Sequence, residues 1–172
     1  MKIRYNSFFT EKVAKDFFKF HLGVRSNAKY IYLAFALLMV GTGAFLAFGK
    51  DKLVIGIVVM VLAPVLLAIR PIQVNHMIKK TLLKQSFIGL RYNVIFTEEK
   101  IVYQTTKSSK DYSWDDVLLV TETQKYVYYY TSPNAAIVTE KELMDYNERK
   151  ILKEFVLKKF KKEAKYKEYK RV

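Results

Sequence analysis

Residues 31–69 read IYLAFALLMVGTGAFLAFGKDKLVIGIVVMVLAPVLLAI, two apolar runs on either side of one charged tetrapeptide. Neither 31–48 nor 53–69 contains an Asp, Glu, Lys or Arg. As helices rising 1.5 Å per residue, the runs span roughly 25–27 Å. That is slightly short of the ~30 Å hydrocarbon core of a bilayer, a gap that snorkelling flanks close. Lys29, Lys50, Lys52 and Arg70 stand where such flanks are needed, and Tyr30 and Tyr32 lie at interface depth. A chain of 172 residues has too little else to cover two helices that are apolar all round. A signal peptide fits no better, because about thirty polar and charged residues precede the first run. The reading is a transmembrane hairpin over 31–69, with GKDK as its tight turn. On its inner side, Gly41, Gly43 and Ala44 are expected to meet Gly56 and Ala63. Pro64 reads as a tolerated kink, and with no charge inside the spans nothing points to transport.

The charge distribution agrees. The chain carries a formal charge of +14, which implies an anionic membrane or nucleic acid as partner. Residues 1–30 hold seven Lys or Arg against two acids, and residues 70–85 hold four and no acid. Residues 86–157 are slightly acidic, with nine basic and eleven acidic side chains. The tail, 158–172, then holds eight basic residues against two acids. The excess charge therefore flanks the apolar runs and fills the tail, a membrane distribution. The positive-inside rule places both ends in the cytoplasm. The basic residues Lys79, Lys80, Lys84, Lys158, Lys159, Lys161, Lys162, Lys165, Lys167, Lys170 and Arg171 are candidates for contact with anionic lipid.

Outward from the hairpin, one pattern occurs on both sides: RYNSFFTE at 4–11 and RYNVIFTE at 91–98. Both alternate, with Ile3, Tyr5, Ser7 and Phe9 matching Leu90, Tyr92, Val94 and Phe96. They read as two strands of one sheet with the hairpin inserted between them. Whether they pair with each other is left open. Thr10 is a candidate N-cap for a helix over 11–22 that ends before Gly23. Its aromatic face suits either the membrane surface or the sheet. Residues 72–86 continue from the second span as a basic amphipathic helix.

Further strands are expected at 100–106, 112–114, 117–123, 126–131 and 135–138, divided by the turns KSSKD and SPN. With the two RYN segments that makes about seven. Residues 139–142 match a capping box. A long final helix follows, with Leu143, Ile151, Leu152, Phe155, Val156 and Phe160 on one side.

Residues 112–143, YSWDDVLLVTETQKYVYYYTSPNAAIVTEKEL, resemble the signature region of the YcxB-like family of small bacterial membrane proteins. The resemblance rests on Trp114, an acidic pair, a hydrophobic strand, an aromatic strand and a Pro-turn before the last helix. It implies a short N-terminal strand and helix, two spanning helices and a pleckstrin-homology-like domain, and it implies no reaction. The fold expected is thus an α+β membrane protein. Residues 1–30 form a strand and amphipathic helix, 31–69 the hairpin, 70–87 a basic juxtamembrane helix, and 88–172 a cytoplasmic bent sheet capped by a helix. The location implied is the bacterial plasma membrane.

Chemistry is sparse. The chain has no cysteine, and only His21 and His76 offer imidazoles, so no metal or other cofactor is expected. Asp115 and Asp116 are adjacent carboxylates that read as turn residues rather than an acid–base pair. Gly89 makes no phosphate loop. Trp114, Tyr126, Tyr128, Tyr129 and Tyr130 resemble a base-stacking platform, but their region is net acidic and no nucleic acid is expected. They read as core and interface packing; an exposed strip of them would be a partner surface. The function expected is a non-enzymatic interaction or regulatory module that binds a protein or peptide at the membrane. The alternative is a sensor of anionic lipid.

Overall fold

The two RYN segments pair directly. In the computed structural model, which describes residues 2–83, 88–160 and 165–169, β1 (Lys2–Phe8) runs antiparallel to β2 (Arg91–Thr97). Asn6 lies opposite Asn93, the third residue of each repeat, so the two copies pair about the same residue of the pattern. Alternation explains the pairing: Ile3, Tyr5, Ser7, Tyr92, Val94 and Phe96 are all buried, and their neighbours are not. A one-residue slip would turn this whole set to the opposite face. Gly89, at φ 86°, makes the approach to β2, with its N–H bonded to the Phe9 carbonyl at 2.9 Å. That left-handed conformation favours glycine.

The chain divides into two compact units, Met1–Val13 with Ser86–Val172, and Ala14–Gln85. The break falls inside α1 (Glu11–Phe18), not at residue 30. The first unit holds two four-stranded sheets. One has the order β1-β2-β3-β4, with β3 at Lys100–Thr105 and β4 at Ser109–Ser113. The other has the order β7-β6-β5-β8, from Leu119–Glu122 (β5), Tyr126–Ser132 (β6), Ala135–Glu140 (β7) and Tyr166–Glu168 (β8). The final helix, α4 (Tyr146–Phe160), sends Leu152, Val156 and Phe160 into a core shared with Val94, Phe96 and Trp114. Each such buried side chain contributes roughly 1.5–3 kcal/mol.

Four expectations are corrected here. Eight strands are described rather than seven, because part of the basic tail forms β8. β4 takes in Ser109–Asp111, which the sequence assigns to a turn, and Trp114 leaves the strand as the first residue of a 3₁₀ turn. The capping box lies at Ser113–Asp116, not at 139–142: Thr139 belongs to β7, and Asp145 Oδ2 instead accepts the Asn147 N–H, at 2.9 Å. On the last helix, Ile151 is exposed, as is Leu143 before it, because the face packed on the core is Leu152, Val156 and Phe160, with Phe155 partly buried beside it.

The second unit is the hairpin with its cap. α2 (Ala28–Ala44) passes through a π-helical segment, Phe45–Gly49, into the turn, and α3 (Leu53–Leu83) is one continuous helix through Pro64 and Pro71. Both spans, Ala28–Gly49 and Leu53–Leu83, are long and apolar enough to cross a membrane. Gly43 and Gly56 are buried where the helices meet. A Cβ on Gly43 would lie 2.7 Å from the Gly56 carbonyl oxygen, and one on Gly56 would clash with that of Gly43. Gly41 faces open space and takes no part in this contact. The helix after Thr10 does not stop before Gly23; it continues as a π-helical segment to Arg25. Arg70 of α3 caps its end, donating to the Gly23 carbonyl at 3.2 Å. Thr10 does cap α1, accepting the Val13 N–H at 3.2 Å.

Candidate functional site

The acidic residue of VLLVTET is the one the sequence leaves unexplained. Glu122 ends β5 on the face that turns toward α4, and its residue surface is 7% exposed. An isolated carboxylate at that depth would be strongly destabilising. Three donors offset the burial. Lys141, from the 3₁₀ turn after β7, and the Tyr166 hydroxyl, from β8, bind its two oxygens, and Lys153 Nζ of α4 lies 2.9 Å away. Burial pushes the Glu122 pKa up, but the bonds from Lys141, Tyr166 and Lys153 outweigh it and hold the carboxyl below its usual range. On the other side, burial and the Glu122 bond together raise the Tyr166 pKa, so its hydroxyl stays protonated as donor.

This cluster lies in a groove between β5 and α4. Val120, Val127, Tyr129, Met144, Leu152 and Val156 make its apolar floor. At the mouth, Lys141, Arg149, Lys150 and Lys153 surround Glu122 in an open polar pocket of about 340 Å³. The Arg149 guanidinium stands 5.4 Å from the centroid of the Tyr146 ring, which orients it there.

β8 occupies the open side of the groove. It runs parallel to β5, with Val120 opposite Tyr166 and Glu122 opposite Glu168. The Val120 N–H donates to the Lys165 carbonyl at 2.7 Å, and the Tyr169 N–H to the Glu122 carbonyl at 2.8 Å. Alternation aims Tyr166 and Glu168 to one side, where Glu168 meets Lys153 at 3.8 Å, while Lys167 is exposed on the other. β8 is three residues long and β5 four, and theirs is a parallel pairing in otherwise antiparallel sheets. Parallel pairing is slightly weaker per residue. The groove can therefore hold an extended segment by backbone hydrogen bonds, an aromatic hydroxyl and charge.

The sequence-level candidates fall elsewhere. Trp114, Tyr126, Tyr128, Tyr129 and Tyr130 are all buried, so they form no exposed strip. Trp114 donates its indole N–H to the Thr97 carbonyl at 2.9 Å and packs on Phe155 and Phe160. Tyr129 faces the core, and of the five only it reaches the groove. Tyr126, Tyr128 and Tyr130 stack along the opposite face of β6, with neighbouring centroids 5.9 and 6.5 Å apart. Asp116 accepts the Ser113 N–H at 2.8 Å, the local turn bond expected of that pair. Among the lipid-contact candidates, Lys79, Lys80 and Lys158 are exposed, and Lys159 lies 3.7 Å from Asp115. Lys165 and Lys167 belong to the docked tail rather than to a free tether. Lys84, Lys161, Lys162, Lys170 and Arg171 lie outside the described residues.

Sequence pattern alone does not single out Glu122, Lys141, Lys153 or Tyr166. The only available signal was a lone acid between apolar and threonine residues in a strand that otherwise reads as buried. Comparison of the chain with family models, with curated proteins and with solved structures finds no match.

Proposed function

We propose that this chain is a membrane-anchored, non-enzymatic interaction module that holds a protein or peptide partner as an added strand along β5. The observation that carries this reading is the tail itself. Tyr166–Glu168 leaves the end of α4 and is accepted on the β5 edge as a strand, with backbone bonds and side-chain partners in place. Strand addition at a sheet edge is a general mode of peptide recognition. Residues 165–169 act as the resident occupant, which a partner displaces.

The anchor is read from the two apolar helices, whose outward side chains such as Leu37, Leu38, Phe48 and Val54 are exposed. The basic flanks orient both ends to the cytoplasm of a bacterial cell, with only the turn at 49–52 outside. In this reading the sheet unit is pleckstrin-homology-like and the chain is YcxB-like. The two meanders β1–β4 and β5–β7, followed by α4, support that assignment.

A photo-crosslinking residue at Gln124, beside the mouth of the groove, tests the function in cells. Removing residues 165–172 is expected to raise the yield of an adduct with a second protein. A yield that does not change with the tail contradicts the reading.

Anionic-lipid sensing is the second reading. Lys79 and Lys80, exposed beyond the apolar part of α3, favour it. It predicts that a peptide of residues 150–172 binds anionic vesicles, ignores neutral ones and releases as salt shortens the Debye length. Binding that does not depend on lipid charge rules it out.

A further inference from the structure

The tail indicates which partner the groove fits. Two of its side chains are read by the groove, and they sit two residues apart on one face of the strand. The Tyr166 hydroxyl donates to buried Glu122, and the Glu168 carboxylate faces Lys153. The residue between them, Lys167, is exposed and makes no specificity contact. Tyr166 also packs against the core cluster, so its ring is held as well as its hydroxyl.

We infer that the β5–α4 groove selects an extended segment carrying a tyrosine and, two residues later, an acidic residue, and that residues 166–168 are an internal copy of that ligand. The inference rests on the strand-addition reading above. The chemistry is specific on both counts. Glu122 is held ionised by Lys141 and Lys153, so it accepts a hydrogen bond, which the tyrosine hydroxyl donates and phenylalanine cannot. Phosphotyrosine has no phenolic O–H left to donate to Glu122 and loses the same bond. At the second position Glu168 meets Lys153, beside a mouth where Lys141, Arg149, Lys150 and Lys153 outnumber the buried Glu122, so an acid matches the local charge and a lysine opposes it.

The test uses the chain in detergent, ending at residue 164, and a fluorescent peptide with the sequence of residues 164–170, AKYKEYK. The peptide is expected to bind the shortened chain and to bind the full chain at least about tenfold more weakly, because the tail competes at high effective concentration. The Tyr166→Phe peptide is expected to bind about tenfold more weakly, the scale of one lost charge-assisted hydrogen bond, and the Glu168→Lys peptide about threefold more weakly, the scale of an exposed ion pair. Lys153→Met in the shortened chain should remove the difference between the native and Glu168→Lys peptides and keep that between the native and Tyr166→Phe peptides, a pattern that general unfolding cannot produce. Should the shortened chain fail to fold, the full-length Tyr166→Ala chain, which loosens the tail in place, takes its role.

Equal binding of all these peptides overturns the selectivity and leaves strand addition standing. Binding of none of them to either chain overturns both. Dimerisation of the full chain that the truncation abolishes assigns the groove to the tail of a second copy and overturns the inference.

Discussion

The backbone N–H of Glu140 donates to the hydroxyl of Tyr5 at 2.9 Å, a bond between residues 135 positions apart in the chain. Beside it, the Tyr92 hydroxyl donates to the Val138 carbonyl, also at 2.9 Å, and the Ser7 hydroxyl donates to the Glu140 carboxylate at 3.1 Å. The paired strands of the RYN repeat thus hold β7 through the tyrosine that each copy contributes. The two sheets are joined there by polar bonds as well as by the apolar core. The Tyr92 pKa is raised, chiefly by burial, as suits a hydroxyl fixed as donor.

Tyr5→Phe removes an acceptor and leaves a partly buried N–H without that bond, a cost of about 1–2 kcal/mol. Tyr92→Phe should cost a similar amount, and the double variant less than the sum, since both bonds hold the same strand. Trp114, the single tryptophan and fully buried, reports the unfolding of this unit by its emission. Deleting residues 2–8 should shift that emission to the red at low denaturant. An unchanged midpoint in all four variants would show that the repeat does not hold the sheets together.

In the hairpin, Gly43→Ala and Gly56→Ala each press a methyl group against the facing backbone, at an expected cost of about 1–3 kcal/mol. Gly41→Ala meets nothing and should be neutral. The chain has no cysteine of its own, so a pair introduced at Ala36 and Ala63, both buried in the hairpin, gives a clean crosslink. Its yield should fall with either of the first two substitutions and hold with the third.

Glu122 makes the sheet unit sensitive to acid. Its folded pKa lies below that of a free glutamate, about 4.3, so its stabilisation is complete above that pH. It is lost as the pH falls through the lower, folded value. Glu122→Gln should cost about 2 kcal/mol at neutral pH by leaving Lys141 without its carboxylate and Lys153 with only the exposed Glu168, a figure reduced because Lys153 is partly solvated. Stability of that variant should vary less with pH below 4 than that of the native chain. Parallel acid curves would mean that the cluster is not coupled to folding.

Much of this architecture is legible in the sequence because it follows from periodicity. The two apolar helices show as uncharged runs, and β1 and β2 as alternation in repeated segments. Even their pairing is consistent with a pattern that is its own partner about Asn6 and Asn93. The groove is different. Tyr166–Glu168 lies in a lysine-rich tail with no strand signal of its own, and it is a strand only because β5 offers an edge. Glu122 reads as a surface acid until Lys141, Tyr166 and Lys153, which are 19, 44 and 31 residues away in sequence, close around it. The tyrosines of β6 mislead for a related reason. Aromatic residues in a strand suit either a surface or a core, and only tertiary packing decides between them.

The central claim is that the tail is a removable occupant of the β5 edge, and amide hydrogen exchange on the full chain tests it most directly. Two amides mark the tail contact, Val120 N–H to the Lys165 carbonyl and Tyr169 N–H to the Glu122 carbonyl. The Leu118 N–H, bonded to the Tyr130 carbonyl, and the Thr123 N–H, bonded to that of Tyr126, mark the β5–β6 ladder beside it. A removable strand opens locally, so the first two amides should exchange at least about a hundredfold faster than the ladder amides, with both ladder amides still protected. Equal protection of all four, released only by global unfolding, would make β8 a permanent part of the fold and contradict the account.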